Sequence, residues 1–194
     1  MMAAWARRWR AVMLAGFCGL LLAACATPNK IVGAGGSRAF DRTGRFAVTV
    51  AYRDGHQDAV QGGFAWHDAG DQLVLDLANP LGSTLARVKV SPRMAVMTRS
   101  NGDTESAADA DGLVAKVLGS PIPVAGLRDW LRGRTGAAPV GELRKNDAGQ
   151  PIEFTQAGWQ VALSRYDSQG PRLLRLSRGE ADRDISVRLV VDGD

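Results

Sequence analysis

The sequence predicts a mainly β domain, a curved antiparallel meander with two short helices laid across its open mouth. Apolar residues alternate with other residues at a period of two in several consecutive runs, which is typical of strands. Short turn-forming segments separate these runs, and one stretch in the middle of the chain changes to helical spacing. A long meander tends to curl, and short amphipathic helices need an apolar surface beneath them.

The first half of the chain predicts five strands. In the first of them, Phe46, Val48, Val50 and Tyr52 alternate with other side chains and share one face. Turn formers separate the later strands, so sequential strands are expected to pair as neighbours. The predicted strands cover residues 46–52, 62–67, 73–77, 86–90 and 94–98.

The first predicted helix covers residues 109–118, where apolar residues follow helical spacing. Asp109 or Asp111 is placed to cap its start, and Gly119 is placed to end it. Asp109 and Asp111 could resemble a catalytic carboxylate pair, but helix capping explains why both are present.

The second predicted helix follows Pro123. Leu127, Trp130 and Leu131 stand at positions i, i+3 and i+4, and Gly133 is placed at its end. After a loop the strand pattern resumes, with further strands predicted at about 151–156, 158–166, 171–178 and 184–192.

The N-terminus has the pattern of a bacterial export signal. Arg7, Arg8 and Arg10 form a basic start, and residues 11–24 are apolar without a charge. This run is shorter than the roughly 20 residues that span a bilayer. It ends in Leu22-Ala23-Ala24-Cys25, which resembles the lipobox of bacterial lipoproteins.

The lipobox implies cleavage before Cys25 and covalent diacylglyceryl and N-acyl groups on that residue, with no other cofactor expected. The sequence therefore divides into a signal peptide at 1–24, a lipidated flexible tether at 25–41 and one domain at 42–194.

The mature formal net charge falls from +4 to +1 because three arginines leave with the signal. Cys18 also leaves, so no disulfide is expected. Ala26, where an inner-membrane lipoprotein of enterobacteria would carry aspartate, favours the outer membrane.

A series of short motifs spans residues 44–191, nearly the whole mature domain. The motifs are Gly44-Arg45-Phe46, Phe64-Ala65-Trp66, Asn79-Pro80-Leu81-Gly82-Ser83, Leu118-Gly119, Ile122-Pro123-Val124, Leu127 with Trp130-Leu131 and Gly133, Gln156 with Gly158-Trp159, and Arg188-Leu189-Val190. Their order and spacing behind a lipobox resemble the LolB family, the outer-membrane receptors of lipoproteins.

The resemblance implies an unclosed antiparallel β-barrel with a short-helix lid over an apolar cavity for acyl chains. It implies a monomeric, lipid-anchored protein of a Gram-negative outer membrane, facing the periplasm. Such a protein would accept acylated lipoproteins from a LolA-like carrier and insert them into outer-membrane lipid, without nucleic acid.

The chain departs from the family pattern in three places. The family's N-terminal helix has only the glycine-rich residues 26–43 available here. Leu163 stands where an aromatic residue is expected, and Asp192-Gly193-Asp194 replaces a common terminal tryptophan. These differences concern how one side of the cavity closes.

Leu81 is the candidate delivery residue. Asn79-Pro80 initiates a turn and Gly82 relieves it, which predicts Leu81 at or near a loop tip. In the resemblance this position matches a protruding apolar residue that delivers cargo to the membrane. The alternative is that Leu81 folds back into the core.

Six further residues are candidates for the acyl-cavity lining, with core packing as the alternative for each. A cavity wall and a core face share one sequence pattern, so the sequence leaves both interpretations open. The candidates are Phe46, Phe64, Trp66, Leu127, Trp130 and Trp159. Arg87, Lys89 and Arg93 could form a basic rim for an acidic carrier surface, but a solvated strand face is the preferred interpretation.

The residue pattern favours no enzyme. His56 and His67 lack a cysteine partner and metal-ligand spacing, and Ser164 and Ser177 lack a nucleophile-elbow motif. Two rival functions stay open: a lipid-anchored binding protein for another amphiphile, such as lipopolysaccharide or a fatty acid, and a structural lipoprotein with a closed core. An exposed apolar tip at Leu81 favours lipoprotein delivery over the binding of another amphiphile. A substantial apolar cavity excludes the structural lipoprotein.

Overall fold

A computed structural model describes residues 39–119 and 122–193 of the chain. The predicted signal peptide, the lipidation site Cys25 and most of the predicted tether lie outside these residues. The described residues form eleven strands and two helices. They are β1 (Phe40–Tyr52), β2 (Gln57–Asp68), β3 (Leu73–Ala78), β4 (Thr84–Ser91), β5 (Met94–Arg99), β6 (Thr104–Ala107), α1 (Ala110–Leu118), α2 (Val124–Trp130), β7 (Val140–Lys145), β8 (Pro151–Gln156), β9 (Trp159–Tyr166), β10 (Pro171–Gly179) and β11 (Arg183–Val191).

All eleven strands join one antiparallel sheet in the order β6-β5-β4-β3-β2-β1-β11-β10-β9-β8-β7. The first and last strands pair at its centre, with Gly44 opposite Val191 and Tyr52 opposite Arg183. Strands β6 and β7 form the two edges, and the helical segment connects them. The predicted fold class, an unclosed antiparallel sheet with two short helices, is confirmed.

Two glycines permit the close backbone approach that this coiled sheet requires. A Cβ atom at Gly44 would lie 2.2 Å from the Val190 carbonyl oxygen, and one at Gly62 would lie 2.0 Å from the Ala78 carbonyl oxygen. No side chain fits at either distance, which explains why Gly44 opens the Gly-Arg-Phe motif of the first strand.

Helix α1 begins and ends as predicted. The Asp109 carboxylate accepts a 2.7 Å hydrogen bond from the Gly112 backbone N–H, and Gly119 ends the helix in the left-handed region at φ 66°. Asp111 has a different role: its Oδ1 accepts from the Ala125 N–H at 2.9 Å and joins α1 to the start of α2. Burial raises the pKa of Asp111.

Helix α2 is shorter than predicted, since it ends at Trp130 and not at Gly133. Gly133, at φ 70°, instead closes the following turn, where its N–H donates to the Trp130 carbonyl oxygen at 3.0 Å. Among the residues that the structure describes, neither helix is long and apolar enough to cross a membrane.

The strand prediction needs two corrections. It missed β6 and β7, which are the two edge strands and whose side chains are mostly exposed. It also began the alternation of the first strand at Phe46, whereas β1 begins at Phe40, which pairs with Asp68 of β2. No side chain of β6 or β7 is buried, and at the start of β1 the buried residues are Arg42 and Gly44, so neither stretch shows alternating apolar side chains.

Candidate functional site

An apolar cavity of about 190 Å³ lies between the sheet and the helices. Strands β1 to β4, strand β11, both helices and the segment that joins them contribute to its wall, and every lining residue is apolar. Alternation along the strands places these side chains on the inner face of the sheet. Val114 of α1 and Val124 of α2 contribute from the lid.

Four of the six predicted lining residues line this cavity: Phe46, Phe64, Trp66 and Leu127. Trp130 and Trp159 do not line it and are fully buried in the packed core instead, so for these two the alternative interpretation applies. Leu163, at the position of the expected aromatic, is likewise buried in that core.

The buried Trp130 is held by a specific hydrogen bond. Its Nε1 donates to Gln156 Oε1 at 2.8 Å, and Gln156 Nε2 donates to the Ala138 carbonyl oxygen at 2.7 Å. Its ring meets Phe154 edge to face at 6.0 Å. Trp66 differs, because its buried Nε1 has no hydrogen-bond partner among the described residues.

The loop of residues 79–83 presents Leu81 to solvent with 92% of its surface exposed. Asn79 Oδ1 accepts from the backbone N–H groups of Leu81 at 2.9 Å and Ser83 at 3.0 Å. Gly82 takes φ 88°, and its N–H donates to the Asn79 carbonyl oxygen. Leu81 is therefore at a loop tip, fixed by its own turn and not folded into the core.

Asp68, at the end of β2, holds helix α2 to the sheet. Arg128 donates to it from Nε and Nη2, Arg132 donates from Nη1 at 2.8 Å, and the Gly70 N–H donates at 3.0 Å. Burial alone would raise the pKa of Asp68, but the arginine and backbone hydrogen bonds outweigh it and lower the pKa to about 2. The carboxylate is thus charged and almost fully buried.

A second ion pair, between buried Arg42 and partly buried Asp167, lies beside this cluster. Arg42 of β1 donates to both carboxylate oxygens of Asp167 at 2.7 and 2.8 Å. The Arg42 guanidinium lowers the pKa of Asp167 to about 2. Phe40 connects the two pairs, since the Cζ atom of Arg132 lies 4.1 Å and that of Arg42 lies 5.7 Å from its ring centroid.

The sequence prediction missed these polar clusters because each joins residues far apart in the chain. Asp68 and Arg128 are separated by 60 positions, and Arg42 and Asp167 by 125. One local signal was present, namely two arginines four positions apart: Arg128 near the end of the predicted second helix and Arg132 just beyond the observed end of α2.

The remaining predicted polar residues lie outside the cavity wall. Arg87 of β4 pairs with Asp76 of the neighbouring strand β3, and its Nε lies 2.5 Å from Asp76 Oδ1. Lys89, also in β4, is exposed. His67 contacts Asp41 at 2.5 Å, and His56 contacts Asp58 at 3.1 Å. Within the described ranges no three His, Cys, Asp or Glu side chains are grouped to hold a metal ion.

Comparison with known proteins identifies relatives over almost the full described domain. The family model for the outer membrane lipoprotein LolB matches residues 38–193. The outer-membrane lipoprotein LolB of Bordetella pertussis is 54% identical over 88% of this chain and 86% of its own length. That of Cupriavidus necator is 36% identical over 94% of this chain and 97% of its own length.

Among solved structures, a LolA superfamily protein from Nitrosomonas europaea aligns with 79% of this chain and 87% of its own. The TM-score is 0.41 and the sequence identity 9%. The family match over most of the chain, together with relatives that are more than half identical, settles its membership. The chain belongs to the outer membrane lipoprotein LolB family.

Proposed function

We propose that this chain is a lipid-anchored outer-membrane receptor, which accepts acylated lipoproteins from a LolA-like periplasmic carrier and inserts them into the outer membrane. The observation that carries the proposal is the cavity beneath the two helices, whose wall is apolar throughout. The anchor would be the lipid on Cys25, and the domain would face the periplasm.

The cargo explains why such a cavity is needed. A triacylated cysteine carries about 45 methylenes, and at ~0.8 kcal/mol each their exposure to water costs roughly 35 kcal/mol. Hydrophobic burial shields such chains without requiring a fixed pose, because it is non-directional. A receptor of this kind releases its cargo to a bilayer without hydrolysing a nucleotide, provided that the bilayer holds the chains more strongly.

The cavity volume bears on how cargo enters. An engineered cavity of about 150 Å³ admits one benzene molecule, so about 190 Å³ accommodates only part of one acyl chain. We therefore infer that the helices move away from the sheet when cargo binds. Arg128 and Asp68 hold the end of α2 at the sheet, whereas α1 contributes only Val114 to the cavity wall.

Leu81 supports the delivery step. Transfer of a leucine that is 92% exposed from water into the apolar part of a bilayer is favourable, and hydrogen bonds to Asn79 hold the loop that presents it. Its loop also lies beside the cavity, as described below, so the tip and the shielded chains would meet the membrane together.

The rival function, binding of a fatty acid or lipopolysaccharide, is less well supported. A carboxylate or phosphate head group inside the cavity would need a cation or hydrogen-bond donors. The cavity wall offers only apolar side chains, so its chemistry suits acyl chains whose polar group stays outside.

A transfer assay tests the proposal. The mature chain with Cys25→Ala is mixed with carrier that has been preloaded with a lipoprotein, and the two proteins are then separated. Cargo found on this chain supports receptor function, and its later appearance in added liposomes supports delivery. Cargo that stays on the carrier, while both proteins are folded, contradicts the proposal and favours an amphiphile-binding module.

A further inference from the structure

Exposed apolar side chains are concentrated at one end of the sheet. Among the described residues, five large apolar side chains are exposed: Val60, Leu81, Leu85, Met94 and Leu143. Antiparallel pairing places the β3–β4 loop, with Leu81, at the end of the sheet where β1 finishes at Tyr52. Met94 starts β5 at the opposite end, and Leu143 lies in the edge strand β7.

Val60 and Leu85 also line the apolar cavity, and they are its only exposed lining residues within the described chain. The deeper lining residues, such as Trp66, Leu127 and Leu131, are buried. The two exposed residues therefore mark where the cavity opens to solvent.

These two residues lie on either side of the Leu81 loop. Gly63 of β2 lies opposite Ala78, the last residue of β3. Val60 precedes Gly63 by three residues in β2 and therefore lies beyond the end of β3. Strand β4 begins at Thr84, which pairs with Ala78, and Leu85 follows at once. The loop thus starts at the end of β3 between Val60 on β2 and Leu85 on β4.

We propose that Val60 and Leu85 form a release lip, over which acyl chains leave the cavity toward Leu81 and the membrane. The inference rests on the proposed function and adds the route of release to it. Cavity wall, lip and loop tip are all apolar, so a departing chain keeps apolar contact until the bilayer covers it. A polar lip would leave part of the chain against hydrated groups, which raises the barrier to release.

The test changes the polarity of the lip while keeping its shape. A Val60→Thr, Leu85→Asn double variant of the mature Cys25→Ala chain is loaded to equilibrium from the carrier, and transfer to liposomes is followed in time. We expect release about tenfold slower than in the wild type, which corresponds to about two methylenes exposed to water at the lip. Leu85→Met should release cargo at the wild-type rate.

Leu143→Asn is the matched control, because Leu143 is 43% exposed and Leu85 is 40% exposed, yet Leu143 does not line the cavity. This control should release cargo at the wild-type rate. If Val60 and Leu85 only added affinity for bound chains, the double variant would release cargo faster, and this result would overturn the proposal, as would an unchanged rate. If the wild type itself takes up no cargo, the proposed function is wrong and the release lip with it.

Discussion

Arg128 of the second helix donates two hydrogen bonds to Asp68 of strand β2, from Nε at 3.1 Å and from Nη2 at 2.5 Å. Asp68 is almost completely buried, and Arg132 completes its set of charged donors. This carboxylate therefore links the lid helix to the sheet beside the cavity. The cost of burying its charge is offset only while both arginines remain in place.

Replacement of Asp68 by asparagine should destabilise the domain, because two partly buried arginines lose their charged partner. We expect Asp68→Asn to lower the free energy of unfolding by about 2–4 kcal/mol in urea denaturation. Asp76→Asn is the matched control, since Asp76 pairs with the more exposed Arg87. The control should cost less than about 1 kcal/mol. Equal losses in the two variants would contradict a special role for Asp68.

Acid should weaken the domain through the same carboxylates. The pKa values of Asp68 and Asp167 are both about 2, below the ordinary value of 3.8. The unfolded chain therefore binds protons before the folded chain does, so stability is complete above about pH 4 and falls as the pH decreases toward 2. Each group contributes up to about 2 kcal/mol over this range.

Urea denaturation between pH 2 and 6 measures this dependence. A variant with both Asp68→Asn and Asp167→Asn should be less stable near neutral pH and should lose less further stability on acidification. A variant with the same acid dependence as the wild type would show that other groups cause it.

The two tryptophans Trp66 and Trp130 should respond differently to replacement by phenylalanine. Trp130→Phe leaves the buried Gln156 side chain without its donor, whereas Trp66→Phe removes an N–H that has no partner among the described residues. Trp130→Phe should therefore be the more destabilising by about 1–3 kcal/mol in urea denaturation. An equal or larger loss for Trp66→Phe would indicate that its indole N–H is hydrogen-bonded.

The strands that could be predicted from the sequence are those with one buried face. Along β11, Ile185, Val187, Leu189 and Val191 are buried while the residues between them are more exposed, and this asymmetry is visible as alternation. The edge strands β6 and β7 lack it, because none of their side chains is buried. No periodic signal existed for them, and only pairing with β5 and β8 defines them.

The cavity could be predicted only in part, for a different reason. Trp66 and Trp130 are both buried and both belong to apolar patterns, yet only Trp66 lines the cavity. The distinction depends on how the lid lies over the sheet, which is a long-range property. The Leu81 turn was predictable because Asn79, Pro80 and Gly82 determine it locally.

Asn79 should matter for delivery because it fixes the Leu81 loop. Asn79→Ala removes the acceptor of two backbone N–H groups, which should cost about 1 kcal/mol of stability. A looser loop holds Leu81 in place less of the time, so we expect transfer of cargo to liposomes to slow several-fold while uptake from the carrier is unchanged.

Asn146 supplies a matched control in the turn between β7 and β8. Its Oδ1 accepts from the N–H groups of Ala148 and Gln150 in the same manner, and no residue of this turn lines the cavity. Asn146→Ala should lose similar stability yet deliver cargo normally. Slowed delivery in both variants would mean that reduced stability, and not the loop, limits transfer.

Leu81→Asp should separate folding from delivery. Because Leu81 is 92% exposed, its replacement should change the free energy of unfolding by no more than about 0.5 kcal/mol. A carboxylate at the tip opposes entry into the apolar part of a bilayer, so we expect the variant to accept cargo from the carrier and to fail in its transfer to liposomes. Leu81→Met should transfer cargo, and Leu143→Asp controls for an added surface charge. Normal delivery by Leu81→Asp would exclude membrane insertion of the tip, and failed uptake would assign Leu81 to contact with the carrier.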